Sequence, residues 1–502
     1  GRAASLDSDG KVSQTIDTLG GNSLGSFTTW QSLGWHSGYG NFTVYDRNNS
    51  DHHIVMGQDY QSGSPYYQGM RSKVVQSNSS NTSAVFSSSE YWNAVNVDNN
   101  GFDTLNAWYD DTANVCLVAR RSGTTAYPHI QAATTSGTGT AASITWGTDT
   151  QITSYGTYGG CGVYIPDLGY SLYFWGQSSG GSNDGLFYKT ITPSGTSSPT
   201  IGTEQRIYTG VLNSTYAGVA ASYDDTNNVI TVIFKGPSGS TTDMLYIVGT
   251  VAGGSITWGT AATLTTLGSN DNSAVLSYRS SDSKWFAMWS HTSSNETMTA
   301  CGTWSSGTTI SWSVKEWTSA DGAIYKINYP MMEMRDDGLS RVSVFGRDYT
   351  SGVDRTYLFS FGLSGGDYIL DLTTFPQQPN DSTGTGGSTQ FGMSYSPDTG
   401  KYVVNSWVWA NPYEAAIFEP VSGSSTADYT IGAAQTTVSD GQTVEVKSIG
   451  TTSSVGLSGL TIRDKVYVQT DGTLTNTSSG TQIGVAVAAD TVLITKIGAN
   501  VT

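Results

Sequence analysis

The heptapeptide Tyr-Asp-Asp-Thr-Ala-Asn-Val at residues 109–115 returns, with one change, as Tyr-Asp-Asp-Thr-Asn-Asn-Val at residues 223–229. Looser copies share its order of one aromatic or apolar residue, a polar turn and an apolar run. They begin at Tyr45, Tyr164, Tyr278, Met334 and Tyr395. Successive copies are 55 to 64 residues apart. Self-similarity at this period, built from β elements, is typical of propeller blades.

Each copy lies between two short runs rich in β-branched and aromatic residues, such as 218–222 and 229–234. This composition favours strands. Asp, Asn and Gly between the runs favour a tight hairpin, because their side chains satisfy turn amides and tolerate a left-handed backbone. A third run, such as 244–248, follows, and a fourth, such as 256–260, is expected to open the next unit. Four strands per unit is the pattern of a propeller blade.

We therefore predict an all-β chain with a seven-bladed β-propeller over residues 25–422, in which the segment 27–35 supplies a strand that closes the last blade. Aromatic residues almost vanish after residue 422. Residues 423–502 are accordingly predicted to form a small C-terminal domain of the β-sandwich or barrel-like kind. Residues 1–24 are predicted to be an N-terminal arm or the remnant of an anchoring region.

The charge of the chain limits the classes of partner. Charged residues make up 13% of the sequence, against about 25% in typical globular proteins, and the formal net charge is −17. Nucleic acid is not predicted as a partner, because no basic stripe opposes the phosphates. The sequence has no apolar run of the roughly 18 residues that a membrane span needs, so we predict no membrane insertion.

Residues with metal-binding side chains show no strong pattern. Cys116, Cys161 and Cys301 are far apart, without a CxxC motif, and are predicted to be buried small hydrophobic residues. Packing or surface roles are predicted for all five histidines, which are His36, His52, His53, His129 and His291. The loop Asp46-x-Asn48-x-Ser50-Asp51 places oxygen ligands at alternate positions, as a calcium loop does. No cofactor is predicted, with Ca²⁺ at this loop as the alternative.

Catalytic signals compete with structural ones. The segment Ser-Pro-Asp-Thr-Gly-Lys-Tyr at 396–402 resembles the Asp-box of sialidases, which is a hairpin device. A sialidase also needs an arginine cluster, and a glycosidase needs two carboxylates at a fixed separation. The candidate arginines are Arg120, Arg121, Arg279, Arg335, Arg341 and Arg347. Glu333, between two methionines on a predicted strand, is the most unusual glutamate. A salt bridge is the favoured role for it, and no catalytic, cofactor-binding or metal residue is assigned.

The repeats resemble virion proteins of marine tailed bacteriophages, in which Gly-Thr-Val-x-Gly-x-x-Ile-x-Trp-Gly-Thr phrases such as 249–260 alternate with the Tyr-Asp phrases. The segments 456–461, 466–474 and 483–487 are similar to the C-terminal β module of phage tail-fibre proteins. The resemblance implies an exposed virion component, often fibre- or adhesin-like, and carries no catalytic motif.

These observations predict a non-enzymatic bacteriophage virion surface or tail-fibre protein that is extracellular and binds a host cell-surface glycan or protein. We expect it to be oligomeric in the assembly and to contact other virion structural proteins. Two alternatives stay open: a glycan-cleaving propeller enzyme, sialidase-like or of another glycosidase type, and a purely architectural capsid or tail decoration. Fold alone does not choose among them.

Overall fold

The computed structural model describes a chain built almost wholly of β-strands. The described residues are 3–6, 12–14, 26–27, 31–35, 41–61, 67–77, 85–87, 91–93, 106–121, 127–155, 160–177, 184–210, 212, 218–236, 243–266, 274–280, 283–291, 296–318, 327–335, 341–348, 355–364, 367–371, 390–407, 414–419, 430–434, 446–447, 450–453, 461, 465–468, 474–477, 481–488 and 491–494. Within them, the helical elements are two single turns of 3-10 helix, Gly139–Ala141 and Pro166–Leu168. Neither is long or apolar enough to cross a bilayer.

Among the described residues, seven antiparallel sheets share one plan, in which three strands consecutive in the chain are neighbours and every further strand pairs with the third. Sheet 1 contains β5 (Asn41–Tyr45), β6 (His52–Gln61), β7 (Tyr67–Gln76), β8 (Val85–Phe86) and β9 (Tyr91–Asn93). Sheet 2 contains β10 (Asn106–Asp110), β11 (Val115–Arg121), β12 (Pro128–Ser136), β13 (Ser143–Trp146) and β14 (Thr150–Gln151). Sheet 3 contains β15 (Gly160–Ile165), β16 (Tyr170–Gln177), β17 (Gly185–Thr192), β18 (Thr200–Ile201) and β19 (Gln205–Thr209).

Sheet 4 contains β20 (Ala220–Asp224), β21 (Val229–Lys235), β22 (Met244–Ala252), β23 (Ser255–Trp258) and β24 (Ala262–Thr265). Sheet 5 contains β25 (Val275–Arg279), β26 (Lys284–Ser290), β27 (Thr297–Ser306) and β28 (Thr309–Glu316). Sheet 6 contains β29 (Ile327–Arg335), β30 (Arg341–Asp348), β31 (Arg355–Ser364) and β32 (Asp367–Asp371). Sheet 7 contains β33 (Gln390–Ser396), β34 (Lys401–Trp407) and β35 (Glu414–Glu419), together with β3 (Ser26–Phe27) and β4 (Gln31–Ser32).

Sheet 7 therefore combines strands from both ends of the repeat region. The early strands β3 and β4 pair with β35, with Gln31 opposite Ala415 and Ser32 opposite Glu414. The predicted pairing of this early segment with the last repeat is present.

The repeated phrase occupies an equivalent hairpin in successive sheets. Tyr109, Tyr164 and Tyr223 each pair with the residue seven positions later, whereas Tyr45 pairs with the residue eight positions later, His53. Side-chain direction in a strand alternates with every residue, so the shared register gives the copies at Tyr109, Tyr164 and Tyr223 the same orientation.

The sixth residue of the phrase has a left-handed backbone conformation, which explains why Asn, Ser or Gly recurs there. Asn114, Asn228 and Ser283 have φ angles of 53°, 56° and 55°, and Gly169 and Gly400 have 67° and 69°. This left-handed conformation is strained for most side chains, whereas Gly and Asn adopt it readily. The residue types that predict tight turns in the sequence are thus the ones that close these hairpins.

The fourth run of each unit belongs to its own sheet, which corrects the expectation that it opens the next one. In sheet 4, β23 pairs with β22, and Val251 lies opposite Ile256. Gly253 and Gly254, with φ angles of 57° and 79°, make the two-residue connection. Two consecutive left-handed residues form the tight hairpin whose twist matches paired strands, so the runs that they join must pair.

Neighbouring sheets share hydrophobic cores, and adjacent residues of one strand enter different cores. The pairs with a shared core, each given with one residue from either sheet, are sheets 1 and 2 (Met56, Val118), 2 and 3 (Leu117, Trp175), 3 and 4 (Phe174, Phe234), 4 and 5 (Ile233, Trp285), and 7 and 1 (Val403, Val55). Both faces of the second strands of sheets 1 to 4 are therefore covered. This explains why their sequences are continuously apolar rather than alternating.

The first strands of successive sheets also pack against one another. Strand β5 contacts β10, β10 contacts β15, β15 contacts β20, β20 contacts β25, β25 contacts β29, β29 contacts β33, and β33 contacts β5. The strand that begins the series thus packs against the strand that begins the last sheet.

The chain divides into two compact units. One comprises Gly1–Ser26, Gly362–Thr373 and Pro420–Thr502, and the other comprises Phe27–Phe361 and Thr374–Glu419. The first unit contains a sheet of order β2-β1-β36-β37 and a sheet of order β38-β42-β41-β39-β40. Their strands are β1 (Ala3–Leu6), β2 (Val12–Gln14), β36 (Thr430–Ala434), β37 (Val446–Lys447), β38 (Gly450–Ser453), β39 (Lys465–Val468), β40 (Leu474–Thr475), β41 (Thr481–Ala488) and β42 (Thr491–Ile494).

The pairing of β1 with β36 gives residues 3–6 a place that the sequence did not suggest. Ala3 lies opposite Ala433, and Ala4 lies opposite Gly432. The N-terminal segment therefore shares a sheet with residues of the C-terminal region. The predicted domain boundaries at residues 24 and 422 stay predictions.

This pairing predicts the outcome of limited proteolysis. A single cut between residues 422 and 426 leaves β1 and β36 on different fragments. Because the ladder between them is intact, we expect the fragments to co-elute in native size-exclusion chromatography and to separate only in denaturant. Deleting residues 1–14 removes this ladder and should weaken the association of the fragments. If the fragments of the cut full-length chain elute separately under native conditions, the β1–β36 pairing is contradicted.

Candidate functional site at the hairpin turns

The turns between the first and second strands form the surface we call the turn edge. It comprises residues 46–51, 111–114, 166–169, 225–228 and 397–400, with Ser280 and Ser283 from sheet 5. The corresponding turn of sheet 6, predicted at residues 336–338, lies outside the described residues. Most side chains of the turn edge are polar, and many are exposed.

Tyrosines that open the repeated phrase link each turn to its neighbour. The Tyr45 hydroxyl donates to Asp398 Oδ2 at 2.5 Å, and the Tyr223 hydroxyl donates to Asp167 Oδ2. Tyr164 shares a hydrogen bond of 2.6 Å with Thr112. The partner belongs in each case to the preceding sheet, and sheet 7 precedes sheet 1. It lies three residues after the tyrosine that opens the phrase of that sheet. The phrase therefore encodes contacts between sheets as well as a hairpin.

The same environment keeps these phenols protonated. Burial, followed by the hydrogen bond to Asp398, raises the pKa of Tyr45 far above its ordinary value, and burial followed by Asp167 does so for Tyr223. Burial and then the Asp224 carboxylate raise the pKa of Tyr278 to about 12. The Tyr45 and Tyr223 hydroxyls therefore stay protonated and donate their hydrogen bonds.

The first aspartate of the phrase is buried and holds the turn. Asp224 is fully buried and accepts hydrogen bonds from the main-chain N–H of Thr226 and of Asn227, both at 2.9 Å. Asp110 accepts from the Ala113 N–H at 3.0 Å and from Ser171 Oγ of sheet 3 at 2.8 Å. Side-chain oxygens used in this way satisfy amides that the hairpin leaves unpaired.

Asp46 has the same role in sheet 1, at the loop where the sequence left a calcium alternative. Its Oδ1 accepts from the Asn48 N–H at 3.0 Å, and its Oδ2 accepts from Thr135 N and Oγ1 of sheet 2 at 2.9 and 2.8 Å. Asn48 Nδ2 donates to the carbonyl oxygen of Asn114 at 2.7 Å. These bonds explain the alternate polar residues without an ion, and Ca²⁺ binding stays an untested alternative.

The Asp-box-like segment is likewise a turn. Ser396 Oγ accepts from the Thr399 N–H at 3.2 Å and donates to the Ser50 carbonyl oxygen at 2.9 Å. Its aspartate, Asp398, accepts from Tyr45. The hairpin role expected for this segment agrees with these contacts.

The exposed part of the turn edge is acidic. Asp111, Asp167, Asp225 and Asp398 are exposed. Arg47 forms an ion pair with Asp111 at 2.8 Å, with side chains 57% and 42% exposed. A pair this exposed contributes little to stability, so its side chains can be exchanged for a ligand at small cost.

The arginines proposed for a carboxylate-binding cluster are spread over sheets 2, 5 and 6. Arg120 in sheet 2 is buried and lies 2.8 Å from Asp149, whose other oxygen lies 2.9 Å from His129. Arg279 in sheet 5 is also buried. The side chains of Arg121, Arg335, Arg341 and Arg347 lie outside the described residues, as does that of Glu333, which β29 places opposite Ser343.

His52 and His53 are buried and connect sheet 1 to both neighbours. His53 Nδ1 lies 2.7 Å from Ser394 Oγ of sheet 7, and its Nε2 lies 3.0 Å from Ser77 Oγ. His52 Nδ1 lies 2.7 Å from Thr135 Oγ1 of sheet 2. Burial lowers the pKa of both residues, that of His53 to about 3. The predicted packing role fits this pair.

Cys116, Cys161 and Cys301 are buried free thiols. Burial raises the pKa of Cys116 and of Cys161, which suppresses the reactive thiolate. Their predicted role as small hydrophobic residues agrees with these positions.

One group of side chains with metal-ligating atoms has no signature in the sequence. His291, Glu296 and Glu316 each offer a ligand atom, and these atoms lie within 4.8 Å of one another. Only sheet pairing brings Glu316 to the other two, because it belongs to a later strand. No spacing motif in the sequence would have indicated the group.

Comparisons with known proteins give distant likenesses of fold. No family model matches the chain, and no curated protein matches it. It is similar to Sqt1 from Chaetomium thermophilum at 10% identity and a TM-score of 0.44, over 79% of this chain and 99% of that one. A polysaccharide lyase, ulvan lyase, has 9% identity and a TM-score of 0.42, over 78% and 96%. An α-L-arabinofuranosidase from Lactobacillus brevis has 10% identity and a TM-score of 0.34, over 54% and 93%. Likeness at this level assigns no activity.

Proposed function

We propose that the seven sheets are the blades of one closed β-propeller. Three observations support closure. The first strands pack in a series that returns from β33 to β5, sheets 7 and 1 share a core around Val55 and Val403, and Tyr45 donates to Asp398. The early strands β3 and β4 complete sheet 7, so both ends of the repeat region are held in one sheet. Such a ring leaves only short, protected sheet edges and gives a rigid platform.

On this platform, the protein binds a neutral, hydroxyl-rich glycan at the turn edge without cleaving it. The observation that carries this proposal is the repeated tyrosine contact between turns, which fixes aromatic rings at regular places along a polar surface. The rings of Tyr164, Tyr223, Tyr278 and Tyr395 are partly exposed. A tyrosine offers an apolar ring face for packing and a polar tip. Fixed rings lose little conformational entropy on binding, which favours affinity.

The polar groups between the rings suit a sugar. Thr112, Asn114, Thr226 and Asn228 are exposed, and their hydroxyl and amide groups can donate and accept hydrogen bonds. Sugar hydroxyls do both as well. The exposed aspartates can accept from them but repel an anionic polymer, and the net charge of −17 adds to that repulsion. A neutral glycan is therefore preferred to a sulfated or uronic-acid-rich one.

The resemblance of the repeats to marine phage virion proteins supports exposure of this surface on a virion. In that setting the host envelope supplies the glycan or a protein ligand, and other virion proteins anchor the chain. A purely architectural decoration would use the same rigid scaffold without a ligand.

A glycan array with neutral and anionic polysaccharides tests the proposal, with new reducing ends assayed in parallel. We expect retention of neutral glycans, little retention of anionic ones and no reducing ends. The double variant Asp225→Ala/Thr226→Ala removes exposed side chains while leaving Asp224 in place, and should weaken retention at least fivefold. Gln205→Ala, an exposed change on the outer strand β19, is the matched control and should bind as the unmodified chain does.

Other outcomes separate the alternatives. Release of oligosaccharides that is lost in Glu333→Gln would show glycan cleavage and overturn the non-enzymatic proposal. Absence of retention on every neutral glycan would reject glycan binding and favour the architectural role.

A further inference from the structure

We propose that His291, Glu296 and Glu316 form a binding site for a divalent transition-metal cation, with Zn²⁺ as the best match. The site is at the end of sheet 5. It is independent of the turn edge and of the proposed glycan binding.

Strand pairing fixes the three residues. His291 directly follows β26, and its main-chain N–H donates to the carbonyl oxygen of Glu296 at 2.7 Å, which closes the connection to β27. Glu316 is the last residue of β28 and lies opposite Met298 of β27. The side chains are therefore held at one end of three adjacent strands.

Trp317, the residue after Glu316, holds the end of β28 in place. Trp317 is buried, its main-chain N–H donates to the Thr297 carbonyl oxygen at 2.9 Å, and its Nε1 donates to Thr299 Oγ1 at 2.9 Å. The Lys315 ammonium lies 3.5 Å from the centre of the Trp317 ring. Successive strand residues point to opposite faces, so Lys315 and Glu316 project in different directions. The lysine is thereby directed away from the face that carries the glutamate.

The separations suit a small ion. The three ligand atoms lie within 4.8 Å of one another. An ion bound at about 2.1 Å by each ligand in tetrahedral geometry would place them about 3.4 Å apart. Side-chain rotation alone can supply that contraction. Because the strands are already in place, metal binding requires no rearrangement of the sheet.

The ligand types select the metal. An imidazole nitrogen suits Zn²⁺, whereas Ca²⁺ takes six to eight oxygen ligands. One imidazole and two carboxylates make three protein ligands, which is the number found in zinc sites that keep a position for water or a ligand oxygen. The carboxylates also offset the charge of the ion. A plain ion pair between the histidine and a glutamate is the competing explanation for the cluster.

Isothermal titration calorimetry of the full-length chain, treated first with a chelator, tests the site with ZnCl₂ and, separately, CaCl₂. We expect one equivalent of Zn²⁺ to bind and Ca²⁺ to bind at least tenfold more weakly. Glu316→Gln and His291→Gln should each weaken Zn²⁺ binding at least tenfold. Glu419→Gln changes a 62% exposed glutamate of sheet 7 and should leave it unchanged.

Substitution with Co²⁺ gives a second measurement, because its visible absorption reports coordination by these ligands. The bands should appear in the unmodified chain and be lost in Glu316→Gln, whose fold is checked by circular dichroism. If His291→Gln fails to fold, Glu316→Gln decides. Failure of the chain to bind Zn²⁺ at about 100 μM, or equal binding by the unmodified chain and Glu316→Gln, would overturn the proposal and favour the ion pair.

Discussion

Replacing Asp224 with alanine is expected to lower the free energy of unfolding by about 3 kcal/mol, whereas replacing its neighbour Asp225 should change it by less than about 0.5 kcal/mol. Asp224 is fully buried and accepts from Thr226 N, Asn227 N and Asn227 Nδ2 at 2.9, 2.9 and 2.8 Å. Alanine would leave these donors without their acceptor. Asp225 is exposed, so water replaces whatever it contacts.

Urea unfolding followed by tryptophan fluorescence measures both changes. The two aspartates are adjacent, have the same charge and belong to the same phrase, so each controls for the other. The pair Asp110 and Asp111 should behave in the same way, because Asp110 is buried and Asp111 is exposed. Equal destabilisation by both members of a pair would show that the phrase does not act through its buried carboxylate.

The sequence predicted the hairpins because their chemistry is local. Left-handed positions at Asn114 and Asn228 require particular residues, and the phrase supplies them at a fixed place. Strand composition and the repeat period then indicated the four-stranded units. The assignment of the fourth run failed because strand composition does not say which neighbour a strand pairs with. The Gly253–Gly254 pair did indicate the partner, because a two-residue hairpin joins strands that pair with each other.

Contacts between sheets were beyond prediction, because they join residues far apart in the chain. Nothing local indicated that Tyr45 would donate to Asp398, or that β1 would pair with β36. The same limit applies to the cluster around His291, where Glu316 comes from a later strand. Function was still less accessible, since the same turn residues suit both a structural role and the proposed binding role.

The adjacent histidines of sheet 1 show how such a long-range contact creates a pH dependence. Burial, followed by the nearby His52, lowers the pKa of His53 to about 3, while an unfolded chain has the ordinary value of 6.5. Between these values the unfolded chain binds a proton that the folded chain does not. Stability is therefore complete above pH 6.5 and falls as the pH decreases toward 3. At pH 5 the expected loss from this residue is about 2 kcal/mol relative to pH 8.

Urea unfolding at pH 8, 6 and 5 should show this loss, and His53→Gln should reduce it, because glutamine can contact the same hydroxyls but does not titrate. Ser77→Ala is the matched control. It removes the 3.0 Å contact to His53 Nε2 but keeps the imidazole, so it should lower stability at every pH and preserve the slope. An unchanged slope in His53→Gln would assign the acid sensitivity to other groups. A reduced slope would assign the acid sensitivity to His53, whose Nδ1 lies 2.7 Å from Ser394 Oγ of sheet 7. Acid would then weaken the contact between sheets 1 and 7, which joins the two ends of the repeat region.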